Sequence, residues 1–498
     1  MFIVISFCRD GKDKMRYLAR RYGEFFGYQI PQVMDIGDIP VRKLEIENRN
    51  KAFHEAGNIV VINRVNKLNA RSFVGDIIGI RSKFPDKLLY LPFFGLPYDY
   101  PVLFYLGIDI LDTSPIELLG EGKCATEFGL IKGEGCAARN HSEKNRMMDV
   151  INLSLQNGRF REIVESYSFS PFSKEVLRIT DMEYYSFMER YMDIRPKEIM
   201  ASSIEGLHRP EIVNFRKRVA SLDQTADNLL LIPCSAVKPY SRSKTHRILH
   251  SFIGRNLPGI QEVIVTSPLG LVPRELESFF PARYYDIPVT GYWFNEEKDV
   301  LAGMAEEYFR NKKYRNVFYV LNGNETSVLD VFGEKNGITG NLNYQNSEKI
   351  AEIIGREGIK GDGRRKERAE FRNQLKFIYD IDLDPEMLSV RKEGNRRILL
   401  YNGTPILKST SSGIQMLKGL GVMLMKMGKR VIEIDGIFNG DTIFIPGIKG
   451  VSGDVIPGME VVLVYGEEAV GRGISELSNL DLAAEKKGKG VSDTTYFH

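Results

Sequence analysis

The chain has 498 residues, 43% hydrophobic and 27% charged, with a formal net charge of +3. That composition is ordinary for a soluble globular protein of about three or four domains, and no apolar run reaches the roughly 18 residues of a membrane span. The small net charge neither requires nor excludes a nucleic-acid partner, because a local basic face matters more than the total. Four cysteines, Cys8, Cys124, Cys136 and Cys234, include no Cys-x-x-Cys pair and do not resemble a disulfide framework, which predicts reduced thiols in a cytoplasmic protein.

Residues 1 to about 200 alternate short apolar strands with charged helices. Residues 2–7, 58–62 and 87–92 read as strands; Arg9, Asp10, Gly11 and Lys12 follow the first at once, without the cationic start or cleavage site of a secretory leader. The alternation predicts a parallel sheet, part of a (β/α) barrel. Asp109 and Asp112 fall at a strand end, either as a carboxylate pair or as polar positions closing a sheet edge.

The apolar run 229–232 is short enough for a buried strand and leads into Pro233, Cys234, Ser235, Ala236, Val237, Lys238, Pro239 and Tyr240. Helical spacing resumes with Ile248, Leu249, Phe252 and Ile253, and Ser243 is placed to cap that helix. Cys234 therefore sits in a strand-to-helix loop, and in an open α/β sheet such loops bind ligands. Positive charge and a helix N-terminus both favour a thiolate. Lys238 supplies the charge, while Tyr240, Ser243 and His246 add donors and one acid–base group. The competing reading is a buried structural cysteine in a turn shaped by two prolines.

Two further strands, 261–266 and 316–321, end in polar loops. As parallel neighbours they would bring Ser267, Glu275, Asn322 and Asn324 to one face. One of Glu275 and Glu277 is expected on a solvated helix face. His246 is expected at the site and His250 packed or exposed, while Trp293 suits base stacking or the core equally.

From about 345 the chain turns charged. The glycine-punctuated basic stretch 355–368 is not a phosphate loop and reads as flexible, either neutralising RNA phosphates or serving as a solvated linker. Residues 395–408 read as a hairpin around Asn402-Gly403, and 414–427 as a Met-rich amphipathic helix. Strands at 430–434, 442–445, 461–465 and 469–472, separated by glycine turns, suggest a small β-barrel.

The offsets of Pro233, Cys234, Lys238, Pro239, Tyr240, Ser243 and His246 resemble the signature of archaeosine synthases, tRNA-modifying enzymes related to archaeal tRNA-guanine transglycosylases. Residues 265–270, 272–277 and 285–291 resemble the core domain of the same family. Residues 101–119 resemble part of the transglycosylase barrel, extended by 140–146, 158–165 and 181–191. Residues 444–448, 454–462 and 470–473 resemble a PUA domain, with 486–491 as its last turn and strand. Transglycosylases carry a zinc site of three closely spaced Cys and a His. Here Cys124 and Cys136 stand twelve apart with no third partner, so the barrel is expected to be degenerate, kept for shape, RNA contact or dimerisation.

The resemblance implies a multidomain α/β plus α+β protein. A degenerate transglycosylase-like (β/α) barrel would cover residues 1–215 and an α/β core domain with the catalytic Cys loop 216–344. A small α+β connecting domain would follow over 345–428, then a C-terminal β-barrel PUA domain over 429–498. The implied activity adds an amine to the nitrile of 7-cyano-7-deazaguanine in the D-loop of tRNA, through a Cys234 thioimidate. Lys238 would stabilise the thiolate, and His246 or Tyr240 would handle protons on the nitrile nitrogen. Pro233, Ser235, Ser243, Ser267, Glu275, Asp286 and Asn322 would line the substrates, with Glu275 or Asp286 holding the charged end of the donor.

The donor is lysine or the nitrogen of glutamine. Lysine is preferred because Cys8, Cys124 and Cys136 lack an activating neighbourhood for glutamine hydrolysis. A lysine adduct would pass to a separate enzyme, a radical-SAM partner. No metal or cofactor is expected, and the partners implied are tRNA and a second copy in a homodimer, with no membrane. The alternatives are a non-catalytic tRNA-binding protein with a relic barrel and a functional guanine transglycosylase.

Overall fold

The apolar runs fold into several separate sheets, two of them five-stranded and mainly parallel. The computed structural model describes residues 23–25, 28–39, 51–65, 69–195, 197–254, 257–287, 292–394, 396–410, 413–438 and 440–497, so the strand expected at 2–7 and Cys8 lie outside the described residues. The chain divides into two compact units. One comprises Met1–Asp193, Ile434–Met459 and Ile474–Asp493; the other comprises Ile194–Glu433, Glu460–Gly473 and Thr494–His498.

In the first unit, Gln32–Met34, Ile110–Asp112, Leu88–Tyr90 and Ile59–Ile62 lie side by side as parallel strands, with Phe53–Ala56 antiparallel at the edge. Every residue of Ile59–Ile62 is buried, as a parallel strand covered on both faces requires. Among the described residues this sheet has five strands, with Gln32–Met34 and Phe53–Ala56 at its two edges, and does not close into a barrel.

Asp109 and Asp112 serve this sheet's loops rather than a common site. Asp109 is fully buried against the Arg81 guanidinium and accepts the Leu89 amide at 2.8 Å. Asp112 accepts from the amides of Phe93 (2.7 Å) and Ser114 (2.9 Å) and from the Tyr90 hydroxyl (3.0 Å). In the same unit Arg161, without solvent exposure, meets Asp181 at 2.6 Å and Glu165 at 2.8 Å.

The expectation of reduced thiols fails at Cys124 and Cys136, which form a disulfide. The hairpin of Lys123–Thr126 and Gly129–Lys132 turns the chain back, so the first residue of the helix Cys136–Gln156 returns to Cys124. Spacing along the chain does not show that return.

The core sheet of the second unit runs Gly270–Pro273, Ile260–Thr266, Asn228–Pro233, Val317–Leu321, Asn336–Thr339, the last four parallel and the first antiparallel at the edge. The two strands Asn228–Pro233 and Ile260–Thr266 are buried throughout. The helices Lys244–Ile253 and Tyr344–Arg356 pack on each other, as do Pro210–Ala220 and Asn295–Phe309. The three strands that lead into Cys234, Ser267 and Asn322 are thus parallel neighbours. Their parallel register carries their ends, at Cys234, Thr266 and Asn322, to one edge.

Two later elements differ from expectation. The basic stretch 355–368 is half helix: Asp362 caps Gly363–Tyr379 by accepting the Arg364 amide at 2.8 Å, and Lys366 is buried, donating to the Ile260 carbonyl at 2.7 Å. Gly413–Met416 is a strand that completes an antiparallel ladder with Thr404–Thr410, so the helix expected over 414–427 begins only at Lys418. The hairpin at Asn402-Gly403 forms with positive φ at both residues, 48° and 75°, the paired left-handed turn that Asn-Gly favours. Near the C-terminus, Val431–Ile434 pairs in parallel with Glu460–Tyr465, and Thr442–Phe444 pairs antiparallel with Lys489–Tyr496. Among the described residues no helix is long and apolar enough to cross a membrane.

Replacing Arg161 with Met should destabilise the protein by about 3–5 kcal/mol, because Asp181 stays buried without the guanidinium that neutralises it. Chemical denaturation of the two proteins side by side checks this.

Candidate active site

Cys234 is the first residue beyond the strand Asn228–Pro233, and its amide donates to the Val265 carbonyl at 3.1 Å. The strand is buried up to Pro233, so the thiol emerges where the sheet ends. Burial pushes the Cys234 thiol up, and the Glu325 carboxylate adds to that; a hydrogen bond from Thr266 and the charge of Lys238 oppose it. The Lys238 ammonium lies 4.0 Å from the centre of the Tyr285 ring, a cation–π contact that holds it beside the loop. Burial draws its pKa down, while Cys234 and the exposed Asp286 hold it up.

Three hydroxyls run from the loop toward the sulfur. Tyr240 and Tyr285 share a hydrogen bond of 2.8 Å, and Tyr285 and Thr266 one of 2.6 Å. Both tyrosines are buried, and desolvation raises both phenols, Tyr240 furthest beyond the ordinary range.

His246 has a different part from the proton-handling one expected. Nη2 of Arg274 donates to its Nδ1 at 3.0 Å, so Nε2 carries the hydrogen and donates to the Pro233 carbonyl at 3.0 Å. Burial, then the Arg274 charge, push its pKa down to about 3. With both nitrogens engaged, the neutral ring ties the Pro233 carbonyl at the base of the loop to Arg274. His250 is buried against Glu262 at 3.0 Å. Trp293 packs partly buried on the core, and the Thr290 and Gly291 before it lie outside the described residues.

The other expected residues separate into two groups. Ser243 caps its helix by accepting the His246 amide at 3.2 Å, and Ser235 donates to the Val237 carbonyl at 2.8 Å, so both shape the loop. Ser267 donates to Glu297 at 2.6 Å, and the Asn322 side chain accepts the Asn324 amide at 3.1 Å. Asp286 faces Lys238. Glu275 belongs elsewhere: it accepts from Asn373 at 2.8 Å and lines a cavity of about 650 Å³ with Ser241, Arg242, Arg274, Glu277 and Arg397, a lining that excludes Cys234. Glu277 accepts the Ser241 amide at 2.9 Å and Arg274 at 2.8 Å, so neither glutamate forms a solvated face.

Thr266, Tyr285, Arg274 and Glu325 were not singled out by the sequence as site residues. Glu325 is 3% exposed, and burial raises its pKa to about 7 against the hydrogen bonds from Asn322. Thr266 was readable as the last residue of a predicted strand; Arg274 and Glu325 lie in loops whose return to Cys234 depends on the fold.

Residues 212–352 match the model of a domain of unknown function, DUF5591, and residues 433–495 match the PUA domain. The molecule is thus an α/β domain with a thiol at its strand ends, joined to a PUA module. Along nearly its whole length it is 30% identical to the archaeosine synthase subunit alpha of Thermoplasma acidophilum, covering 94% of each chain. It is 28% identical to the subunit alpha of Methanosarcina acetivorans, over 85% of this chain and 76% of that protein. Identity is also 28% with the archaeosine synthase of Haloferax volcanii, over 85% and 79% of the two chains. The chain belongs to the archaeosine synthase family.

Iodoacetamide should alkylate Cys234 more slowly in the folded than in the unfolded protein at pH 7.5, and faster as pH rises above the ordinary thiol range. Lys238→Met should slow it further, since the cation favouring the thiolate is gone. Peptide mass spectrometry at timed quenches reads both effects.

Proposed function

We propose that this chain is an archaeosine synthase that adds a free amine to the nitrile of 7-cyano-7-deazaguanine in the D-loop of tRNA. The observation that carries the reading is the Cys234 thiol at the strand ends, where the Lys238 charge and Thr266 both favour its thiolate. A nitrile carbon is electrophilic, and a thiolate adds to it to give a thioimidate from which an amine displaces sulfur, leaving an amidine. Lys238 favours the thiolate as it forms. Tyr240 acts through Tyr285 on Thr266, whose hydroxyl donates to the Ser267 carbonyl at 3.0 Å and favours the thiolate of Cys234. His246, held by Arg274 and Pro233, keeps the loop in register.

Lysine is the donor this arrangement suits, because one thiol is enough for a free amine. The exposed Asp286 beside Lys238 offers a carboxylate to the donor's charged end. Glutamine would need a second activated nucleophile, and Cys124 and Cys136 are joined to each other. The reaction needs no metal or cofactor, and its lysine adduct would be cleaved by a separate radical-SAM enzyme. The open sheet of the first unit is read as the remnant of a transglycosylase barrel retained for RNA contact or dimerisation. The PUA module anchors the tRNA of a cytoplasmic enzyme, with the exposed Lys486, Lys487 and Lys489 supplying phosphate contacts.

Incubating the protein with nitrile-bearing tRNA and lysine should yield a nucleoside heavier by an intact lysine. Cys234→Ala should abolish that product with tRNA affinity nearly unchanged. Nucleoside mass spectrometry with a gel-shift assay at matched salt decides it, and full activity in the alanine variant would remove the mechanism. Changing Lys486, Lys487 and Lys489 together to Gln should weaken tRNA binding and reduce the salt slope of log affinity by about 1 for each phosphate no longer neutralised, measured by filter binding across a salt series.

A further inference from the structure

The strand Val317–Leu321 runs parallel to Asn228–Pro233, with Leu231 beside Tyr319, so Asn322 and Cys234 leave the sheet at the same end. The chain beyond Asn322 folds back within three residues. The Asn324 amide donates to the Asn322 side chain at 3.1 Å, the Glu325 amide to the Asn322 carbonyl at 3.0 Å, and the Asn322 amide to the Glu325 carboxylate at 3.1 Å. This turn fixes an almost wholly buried carboxyl at the strand end, where its charge bears on the Cys234 sulfur. Among the described residues Glu325 makes no ion pair. The other charged or titratable groups acting around the thiol are Lys238, Asp286 through Lys238, and the phenols of Tyr240 and Tyr285.

We propose that Glu325 is the acid–base residue of the amine addition, carrying the Cys234 proton to the nitrile nitrogen and then accepting a proton from the incoming ammonium. This rests on the nitrile reading above. The atoms balance without a further reactant. In the first half the Glu325 carboxylate takes the thiol proton, sulfur bonds to the nitrile carbon, and the proton passes to nitrogen, leaving a thioimidate and a carboxylate. In the second half the carboxylate takes one proton from the donor ammonium and the free amine bonds to the same carbon. A proton moves between the two nitrogens, the carbon–sulfur bond breaks, and the departing thiolate recovers its proton from Glu325. The positive charge that entered as ammonium leaves as amidinium.

Other groups near the thiol are poorly suited to this part. His246 has both nitrogens engaged, the two phenols are raised by burial, and Lys238 serves as the positive charge. A carboxyl and a thiol that repel each other when both are ionised hold one proton between them. A shuttle works best with its pKa near ambient pH, and burial brings Glu325 to about 7.

The test compares wild type with Glu325→Gln, which keeps an oxygen for the Asn322 amide, and with Glu325→Asp, which keeps a carboxyl. Amine addition to nitrile-bearing tRNA and Cys234 alkylation are each followed across pH. In Glu325→Gln, turnover should fall by about 10²–10⁴, the limb with a midpoint near 7 should vanish, and alkylation at pH 7.5 should become faster because a negative charge beside the sulfur is gone. Glu325→Asp should retain the limb at a reduced rate. A Gln variant that turns over near the wild-type rate, keeps the limb, or alkylates with the wild-type pH dependence overturns the proposal. A wild type inert on nitrile-bearing tRNA would overturn the functional reading and this inference together, whereas an active wild type with an indifferent Gln variant overturns the inference alone.

Discussion

Beneath the Cys234 loop, the Arg274 guanidinium spends its donors on Glu262 at 2.8 Å, on Glu277 at 2.8 Å and on Nδ1 of His246 at 3.0 Å. Each acceptor passes the constraint onward. Glu262 belongs to the strand Ile260–Thr266, Glu277 holds the Ser241 amide, and His246 holds the Pro233 carbonyl at the base of the loop. Glu262 is held well below the usual carboxylate range because Arg274 and His250 outweigh the desolvation that opposes them. Such a network is directional, so it fixes the loop's path where apolar packing would leave it freer to shift. Losing Arg274 would leave Glu277 buried without its cation and Glu262 with only His250 beside it, a loss far beyond one hydrogen bond.

On that support the thiol is held back rather than activated in advance. Burial and the Glu325 charge disfavour the thiolate, Lys238 and Thr266 favour it, and the first pair prevails. A sulfur that remains a thiol until substrate arrives is protected from stray electrophiles and oxidants, since the thiolate is the reactive form. The scaffold and the proposed chemistry use different charges: Arg274, Glu262 and Glu277 hold the loop, while Lys238 and Glu325 bear on the Cys234 sulfur and Asp286 on Lys238.

The strands at 58–62, 87–92, 229–232, 261–266 and 316–321 were readable because they are short, continuous apolar runs bounded by turn residues, whereas Gln32–Met34, Phe53–Ala56, Gly270–Pro273 and Asn336–Thr339, only three or four residues each, gave no such run. The Ser243 cap and the Asn402-Gly403 turn were readable for the same reason, since their signals are local. Legibility ended where contacts span the chain. Nothing beside His246 announces that Arg274, 28 residues away, will occupy its Nδ1, and Glu275 reads like its neighbour Glu277 until Asn373, 98 residues on, claims it. Gly413–Met416 carried a helical apolar pattern that pairing with Thr404–Thr410 overrode. The basic run after Gly355 read as solvated because charge counts do not show that Lys366 reaches the Ile260 carbonyl.

The bond between Cys124 and Cys136 encloses the turn of a hairpin and the start of a 21-residue helix. A protease that cut anywhere between those two cysteines would produce no separate fragments, because both halves stay covalently attached. The nick would show only once the sulfurs were reduced, and the first unit would retain its continuity through a break in its backbone.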